Sequence, residues 1–325
     1  MIGGKDCSYM KTMGKVIAAT AAVAGFIGGA GYGLFYGTMH RKSVIAEKLG
    51  SVFNKVEGEP FVPAEDPRAK WFAEQPLENY MIENAKGFKL KAYLLKAKEP
   101  SDVYVFASHG YRGNGKNEFQ VMAKYYHEKG YNVFIVDHQA AGESEGTYIG
   151  FGYHEARDAM LWLEFMKETF GKDIQIILHG VSMGSATVML MTGNENLPEN
   201  VKFTVADCGY TSVWDELAHN FKNVGAPTFP VLDAANFFNK RISGYDLKET
   251  SPKAAVAKAK IPMLFIHGGK DDFVPTYMGS QLYAYCSSEH KELYIAPTAA
   301  HAESYPYHSD EYEARINSFA EKYIV

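Results

Sequence analysis

Cysteine is scarce in this chain. The 325 residues hold only Cys7, Cys208 and Cys286, an odd number that excludes a fully paired disulfide framework within one chain. Their spacing fits neither a zinc ribbon nor a C-x-x-C redox pair. No H-E-x-x-H and no clustered Cys and His occur either, so the sequence asks for no metal and carries no cofactor signature. A basic excess is also missing: the net charge is -5 and the pI is near 6.1. Nothing is left over to neutralise phosphates, which excludes a nucleic-acid partner. Tryptophan is sparse at 3, yet 22 Tyr and 20 Phe raise the aromatic share to 14%. Those aromatics suit an apolar pocket and a large core equally well.

Charge is absent from Val16 to Met39, a stretch longer than the roughly 20 residues a bilayer span needs. Lys5, Lys11 and Lys15 precede it, His40-Arg41-Lys42 follow, and Gly25, Gly29, Gly33 and Gly37 recur every fourth position. Such a stripe of small residues permits close helix packing in a membrane. Residues 1–40 are therefore expected to form a membrane anchor, or a cleaved signal if processed, with the rest of the protein outside the cytoplasm. Residues 41–77, punctuated by Pro60, Pro63, Pro67 and Pro76, read as a linker with a short helix over Ser43 to Leu49.

From residue 78 onward apolar strands alternate with helices. Tyr80-Glu83 and Phe88-Leu95 read as an antiparallel pair. Val103-Ser108, Asn132-Asp137, Val201-Asp207, Pro262-His267 and Lys291-Ala296 read as strands. Helices are expected over Asn117-Lys129, Gly152-Phe170, Tyr277-Cys286 and Asp310-Tyr323. This alternation implies a mostly parallel sheet covered on both faces.

One stretch organises the chemistry. An apolar strand beginning at Ile174 enters Gly180-Val181-Ser182-Met183-Gly184, and a buried helix follows. A serine between two glycines at a strand-to-helix junction is the context of a G-x-S-x-G nucleophile elbow. Serine is a weak nucleophile until a base takes its proton and a third group orients that base. His301 is the one histidine immediately after a late strand, so it is the candidate base. Asp271 and its neighbour Asp272 follow the preceding strand and are candidate acids, with Asp207 a displaced alternative.

The order Ser182, Asp271, His301, carried by GVSMG, HGGKDDFVP and AAHAESY, resembles the α/β-hydrolase superfamily. The likeness runs over residues 78–325 and is greatest to bacterial Bem46-like serine hydrolases with an amino-terminal membrane segment. It implies an α/β-hydrolase fold with a small helical lid at about residues 209–260, and it places the acid on Asp271. It also implies an oxyanion hole made by the backbone N–H groups of Met183 and Tyr111. The activity implied is cleavage of a small-molecule ester through an acyl-enzyme. An aminopeptidase or amidase of the same fold, and a catalytically silent binding protein at a membrane surface, remain open.

Four further patterns accompany these. Gly110 to Asn117 nearly matches a phosphate-binding loop, but Asn117 stands where a magnesium-ligating hydroxyl is required. Asp137 to Gly146 resembles a buttressing loop of the family, with Gln139 and Ala141 in place of its arginine and histidine. His109, His179 and His267 each precede a glycine at a strand end and read as structural hydrogen-bonding groups. Trp214, Phe221, Phe229, Phe237 and Phe238 in the lid fit an acyl or aryl pocket, or lid packing.

Overall fold

The parallel strands of this chain are apolar from end to end, which requires cover on both of their faces. The computed structural model describes residues 4–43, 65–223, 225 and 227–325, with side chains described from residue 22 onward. Eight strands form one sheet: β1 (Glu78–Glu83), β2 (Lys89–Leu95), β3 (Val103–Ser108), β4 (Asn132–Asp137), β5 (Gln175–Val181), β6 (Val201–Asp207), β7 (Met263–Gly268) and β8 (Lys291–Ala296). Their order is β1-β2-β4-β3-β5-β6-β7-β8. The β1–β2 and β2–β4 pairs are antiparallel and the remaining pairs parallel.

Every residue of β3, β4, β5 and β7 is buried, and alternate residues serve opposite faces. Val105 and Ile135 point to one side, against helices α2 (Pro67–Ala73), α3 (Gly115–Phe119), α4 (Ala123–Glu128) and α11 (Ser304–Tyr323). Phe106 and Phe134 point to the other, against α5 (Tyr153–Phe170) and α6 (Met183–Thr192), where Trp162 and Val188 join them. Ser108 lies beside Gly180, Val181 beside Asp207 and Gly268 beside Ala296. The parallel strands therefore end together, and the loops after them gather at one edge, where open α/β sheets place their sites. Helices α7 (Val213–Asn223), α8 (Val231–Ile242) and α9 (Pro252–Val256) fall between β6 and β7 in the chain, within the stretch 209–260 where a lid is expected. Helix α10 (Thr276–Tyr285) completes the crossover from β7 to β8.

The amino-terminal helix α1 (Gly4–Met39) is tied into this edge. A Cβ on Gly31 would run into Ala234 of α8, so the helices touch backbone to backbone there. Tyr32 meets Phe238 edge-on at 5.3 Å. Phe35 and Met39 are fully buried with Leu232 and Ala235. Ile149 N–H donates to Met39 O at 2.8 Å and Arg41 N–H to Thr147 O at 3.0 Å. Among the described residues, no helix is long and apolar enough to cross a membrane. The last turns of the uncharged run instead meet protein, and the side chains of Val16 to Ala21 fall outside the described residues.

Elsewhere the local structure departs from the sequence reading in three places. Within the connector lies α2, begun by Pro67 and capped by Asp66, whose Oδ1 accepts Arg68 N–H at 2.7 Å; these are ordinary helix-start signals. The single helix expected over 117–129 is two, α3 and α4. Phe119, Val121, Met122 and Ala123 are all buried, and neighbours so closely spaced cannot share one face of a continuous helix. The last helix begins six residues early, at Ser304, and bends at His308. Beyond Ser43, the helix expected over Ser43 to Leu49 lies outside the described residues.

Candidate active site

Strand β5 and helix α6 meet at Ser182, whose φ of 56° and ψ of -116° place an L-residue at positive φ. Such a backbone is strained and persists only where its surroundings over-determine it. The two flanking glycines do this. A Cβ on Gly180 would meet the carbonyl of Gly184, and a Cβ on Gly184 would meet the carbonyl of Ser108. Ser182 N–H donates to Asp207 O at 2.9 Å, and its own carbonyl accepts Ala186 N–H at 3.0 Å. The turn is fixed on both sides.

His301, in the loop after β8, reaches Ser182 Oγ with Nε2 at 2.8 Å and Asp271 Oδ2 with Nδ1 at 2.8 Å. Asp271 follows β7, and its other oxygen accepts the N–H groups of Phe273 at 3.1 Å and Val274 at 2.9 Å. His267 Nε2, which donates to Val274 O at 2.8 Å, lies 3.4 Å from Oδ2. Burial alone favours a neutral Asp271, but His301 and His267 beside it outweigh that and hold the carboxyl well below the usual range. Burial likewise opposes a charged His301, yet the Asp271 carboxylate lifts its proton affinity well above the ordinary imidazole value. Asp272 is exposed. Asp207 is bonded instead to the Tyr312 hydroxyl at 3.1 Å, and burial pushes its carboxyl up to about 7. The acid in contact with His301 is Asp271.

Met183 is the first residue of α6, so its N–H belongs to the unpaired first turn, at the positive end of the helix dipole. The loop after β3 lies against the serine: a Cβ on Gly110 would sit 3.4 Å from Ser182 Cβ. Tyr111 follows, stacked on Phe151 at 4.9 Å, with its hydroxyl donating to Thr38 O at 2.6 Å.

Two kinds of likeness accompany this geometry. A family described as serine aminopeptidase, S33, matches residues 99–237. The uncharacterized protein YqkD of Bacillus subtilis is 30% identical over 241 residues, covering 74% of this chain and 78% of that one. The chain belongs to the α/β-hydrolase superfamily. The protein bem46 of Schizosaccharomyces pombe is 24% identical, with 59% of each chain covered. Among solved structures, the Pyrococcus furiosus esterase Pf2001 superposes with a TM-score of 0.63 at 19% identity, covering 82% of this chain and 98% of that one. The Pyrococcus horikoshii acylaminoacyl peptidase does so at 0.56 and 18%, covering 80% and 44%. At such identities the structures speak for the fold alone.

Several features of this α/β-hydrolase site bear on the remaining sequence readings. His109 Nδ1 bonds Gly110 O at 2.7 Å and its Nε2 accepts His138 N–H at 3.1 Å. His179 sits between the hydroxyls of Tyr126 at 2.6 Å and Tyr312 at 2.8 Å. These histidines are hydrogen-bonded into the scaffold, as is His267. The phosphate-loop pattern spends its N–H groups within the protein: Gly115 N–H donates to Asp137 Oδ1 of β4 at 2.8 Å, Gly113 N–H to Gly110 O at 3.3 Å and Asn117 N–H to Asn114 Oδ1 at 3.0 Å. A cavity of about 290 Å³ lined by Gln75, Leu95 and His127 lies at the opposite end of the sheet. Of the lid aromatics, Phe229 and Phe237 are exposed and Phe238 packs on Tyr32 of α1. The apolar cluster around Met183 includes Phe35, Tyr210, Leu217 and Val274, with Trp214 and Phe238 packed against it.

Arg112 is the contact the sequence reading missed. Its guanidinium donates to the carbonyls of Gly37 at 3.2 Å, His40 at 2.9 Å and Arg41 at 3.3 Å, and its Nε donates to Tyr111 Oη at 2.9 Å. The final turn of α1 contains no basic residue of its own, so Arg112 supplies the cation that free C-terminal carbonyls favour. One signal was available: an arginine directly after a candidate oxyanion donor. Arg112→Ala should loosen Tyr111 and α1 together and lower kcat about tenfold with little change in KM, since the loss falls on transition-state contacts. Steady-state kinetics on an activated ester check this, and an unchanged kcat would contradict the coupling.

Proposed function

We propose that this α/β-hydrolase is a serine hydrolase that cleaves carboxylic esters through an acyl-enzyme. The observation carrying this reading is the unbroken hydrogen-bonded relay from Ser182 through His301 to Asp271. Ser182 Oγ attacks the substrate carbonyl while His301 Nε2 takes its proton. Asp271, accepting from Nδ1–H, holds the ring in the required tautomer and stabilises the imidazolium. The N–H groups of Met183 and Tyr111 receive the oxyanion. His301 then gives its proton to the leaving alcohol, and water, activated by the same histidine, releases the acyl group. Met183, Tyr210, Leu217 and Val274 favour an apolar acyl chain.

A second reading, an aminopeptidase, is favoured by Glu216 of α7. It is 3% exposed, with Oε1 accepting from Asn220 Nδ2 at 2.6 Å and Oε2 without a partner among the described residues. Burial pushes its carboxyl up to about 8, against the pull of the His301 charge. Its unpartnered oxygen can accept from a substrate ammonium group, whose positive charge would draw the carboxyl back to its ionised form. The third possibility, a silent binding protein, predicts no turnover at all.

We also assign α1 to a membrane surface, with the catalytic domain outside the cytoplasm. Val23 and Phe26 are 58% and 76% exposed, and Phe229 and Phe237 of the lid region are exposed as well. Protein recovered in the soluble fraction, or protected from external protease in intact cells, would count against this.

Substrate panels test the chemistry. Ester reading: p-nitrophenyl esters outrun aminoacyl p-nitroanilides, and Ser182→Ala lowers kcat by about 10⁴-fold or more with the fold intact. Retained turnover in that variant sinks the triad. A preference for the aminoacyl amides that Glu216→Gln abolishes would instead establish the second reading. The pH profile follows from His301, which serves as base only when neutral. Because Asp271 raises its proton affinity, activity should fall on acidification through a value above 6.5. Asp271→Asn should move that limb downward; a limb that stays put would contradict the assignment.

A further inference from the structure

A third potential ligand stands beside the His301–Asp271 pair. Cys208 follows β6, Asp271 follows β7 and His301 follows β8, so adjacent strands bring a thiol, a carboxylate and an imidazole together. One ligand atom of each lies within 4.8 Å of the other two. We propose that these residues form an inhibitory site for a zinc-like divalent cation, which binds inside the triad and stops hydrolysis. This rests on the reading of Asp271 and His301 as catalytic.

The donor set fits the metal. Thiolate, imidazole and carboxylate together suit Zn²⁺, which takes such ligands tetrahedrally. Bonds of about 2.0 to 2.3 Å place tetrahedral ligand atoms roughly 3.3 to 3.8 Å apart, so the cluster needs to contract by only about 1 Å. Cys208 is held in place: it is fully buried at φ 44°, with its N–H donating to Ile266 O at 2.9 Å. The Asp271 side chain is fully buried as well, whereas that of His301 is 21% exposed. The imidazole is therefore the ligand open to the cleft, and the fourth position can hold water.

Binding replaces the thiol proton, which leaves to solvent as the sulfur–metal bond forms. The thiolate and the carboxylate then balance the two positive charges. Catalysis is lost with either ring nitrogen. Coordination through Nδ1 removes its bond to Asp271, and coordination through Nε2 consumes the lone pair that takes the Ser182 proton. The remaining described thiol, Cys286, packs its sulfur 3.6 Å from Met263 Sδ and belongs to no such cluster.

Full-length protein is assayed with an activated ester in zinc buffers, then titrated with Co²⁺. Expected for the wild type are inhibition by micromolar zinc, recovery with a chelator, and a near-ultraviolet thiolate-to-cobalt band. Cys208→Ala should weaken zinc inhibition by on the order of a hundredfold, judged for each variant against its own metal-free rate, and should lose the band. Cys208→Ser, closer in volume, guards against misfolding and should also lose the band, while Cys286→Ala should behave as wild type. Equal zinc sensitivity in wild type and Cys208→Ala, or a band absent from wild type, overturns the proposal. A metal-free wild type with no ester turnover overturns the hydrolase reading instead, and the cobalt band still decides the site.

Discussion

Gly180 and Gly184 allow β5, α6 and the end of β3 to meet backbone against backbone, and the rest of the site depends on that contact. Any side chain at either position would push the elements apart. The close approach forces Ser182 into its positive φ and points its hydroxyl toward the edge where the parallel strands end. Strain of this kind costs on the order of 1 to 3 kcal/mol. Burial of the sheet on both faces, with Phe106 and Phe134 on one side and Val105 and Ile135 on the other, provides the scaffold that holds it.

Around this point electrostatics and packing divide the work. Asp271 loses water on burial but gains two backbone N–H groups and a histidine on each side, so its charge survives. That charge raises the proton affinity of His301. Glu216 and Asp207, equally buried but less well provided with donors, are pushed toward the neutral acid. Three buried carboxyl groups near one serine thus behave differently because their hydrogen-bond partners differ.

The strands and the elbow were legible because their signals are local. Strands buried on both faces read as continuous apolar runs, and a serine between glycines announces a tight turn. Chain order then narrowed the acid and base to Asp271 or Asp272 and His301, and the structure brings Asp271 and His301 within hydrogen-bond distance of each other and of Ser182. What escaped reading depends on partners remote in sequence. The uncharged run ending at Met39 looked like an anchor throughout, yet Gly31, Phe35 and Met39 pack on the lid. Arg112 reads as one more residue of a phosphate-loop pattern until the end of α1 is seen beside it. The break between α3 and α4 reflects the core pulling in four residues out of five, which helical periodicity cannot express. Cys208 belongs to no metal-binding spacing in the sequence, because β6, β7 and β8 had to be adjacent before its sulfur came within 4.8 Å of His301.

Every proposed step of the chemistry depends on Ser182 being the nucleophile. Treatment with a fluorophosphonate, followed by peptide mass spectrometry, tests it most directly. One phosphonyl adduct is expected, on the peptide containing Ser182, with its loss when His301 is replaced by alanine. An unlabelled wild-type protein, or an adduct on any other residue, would contradict it.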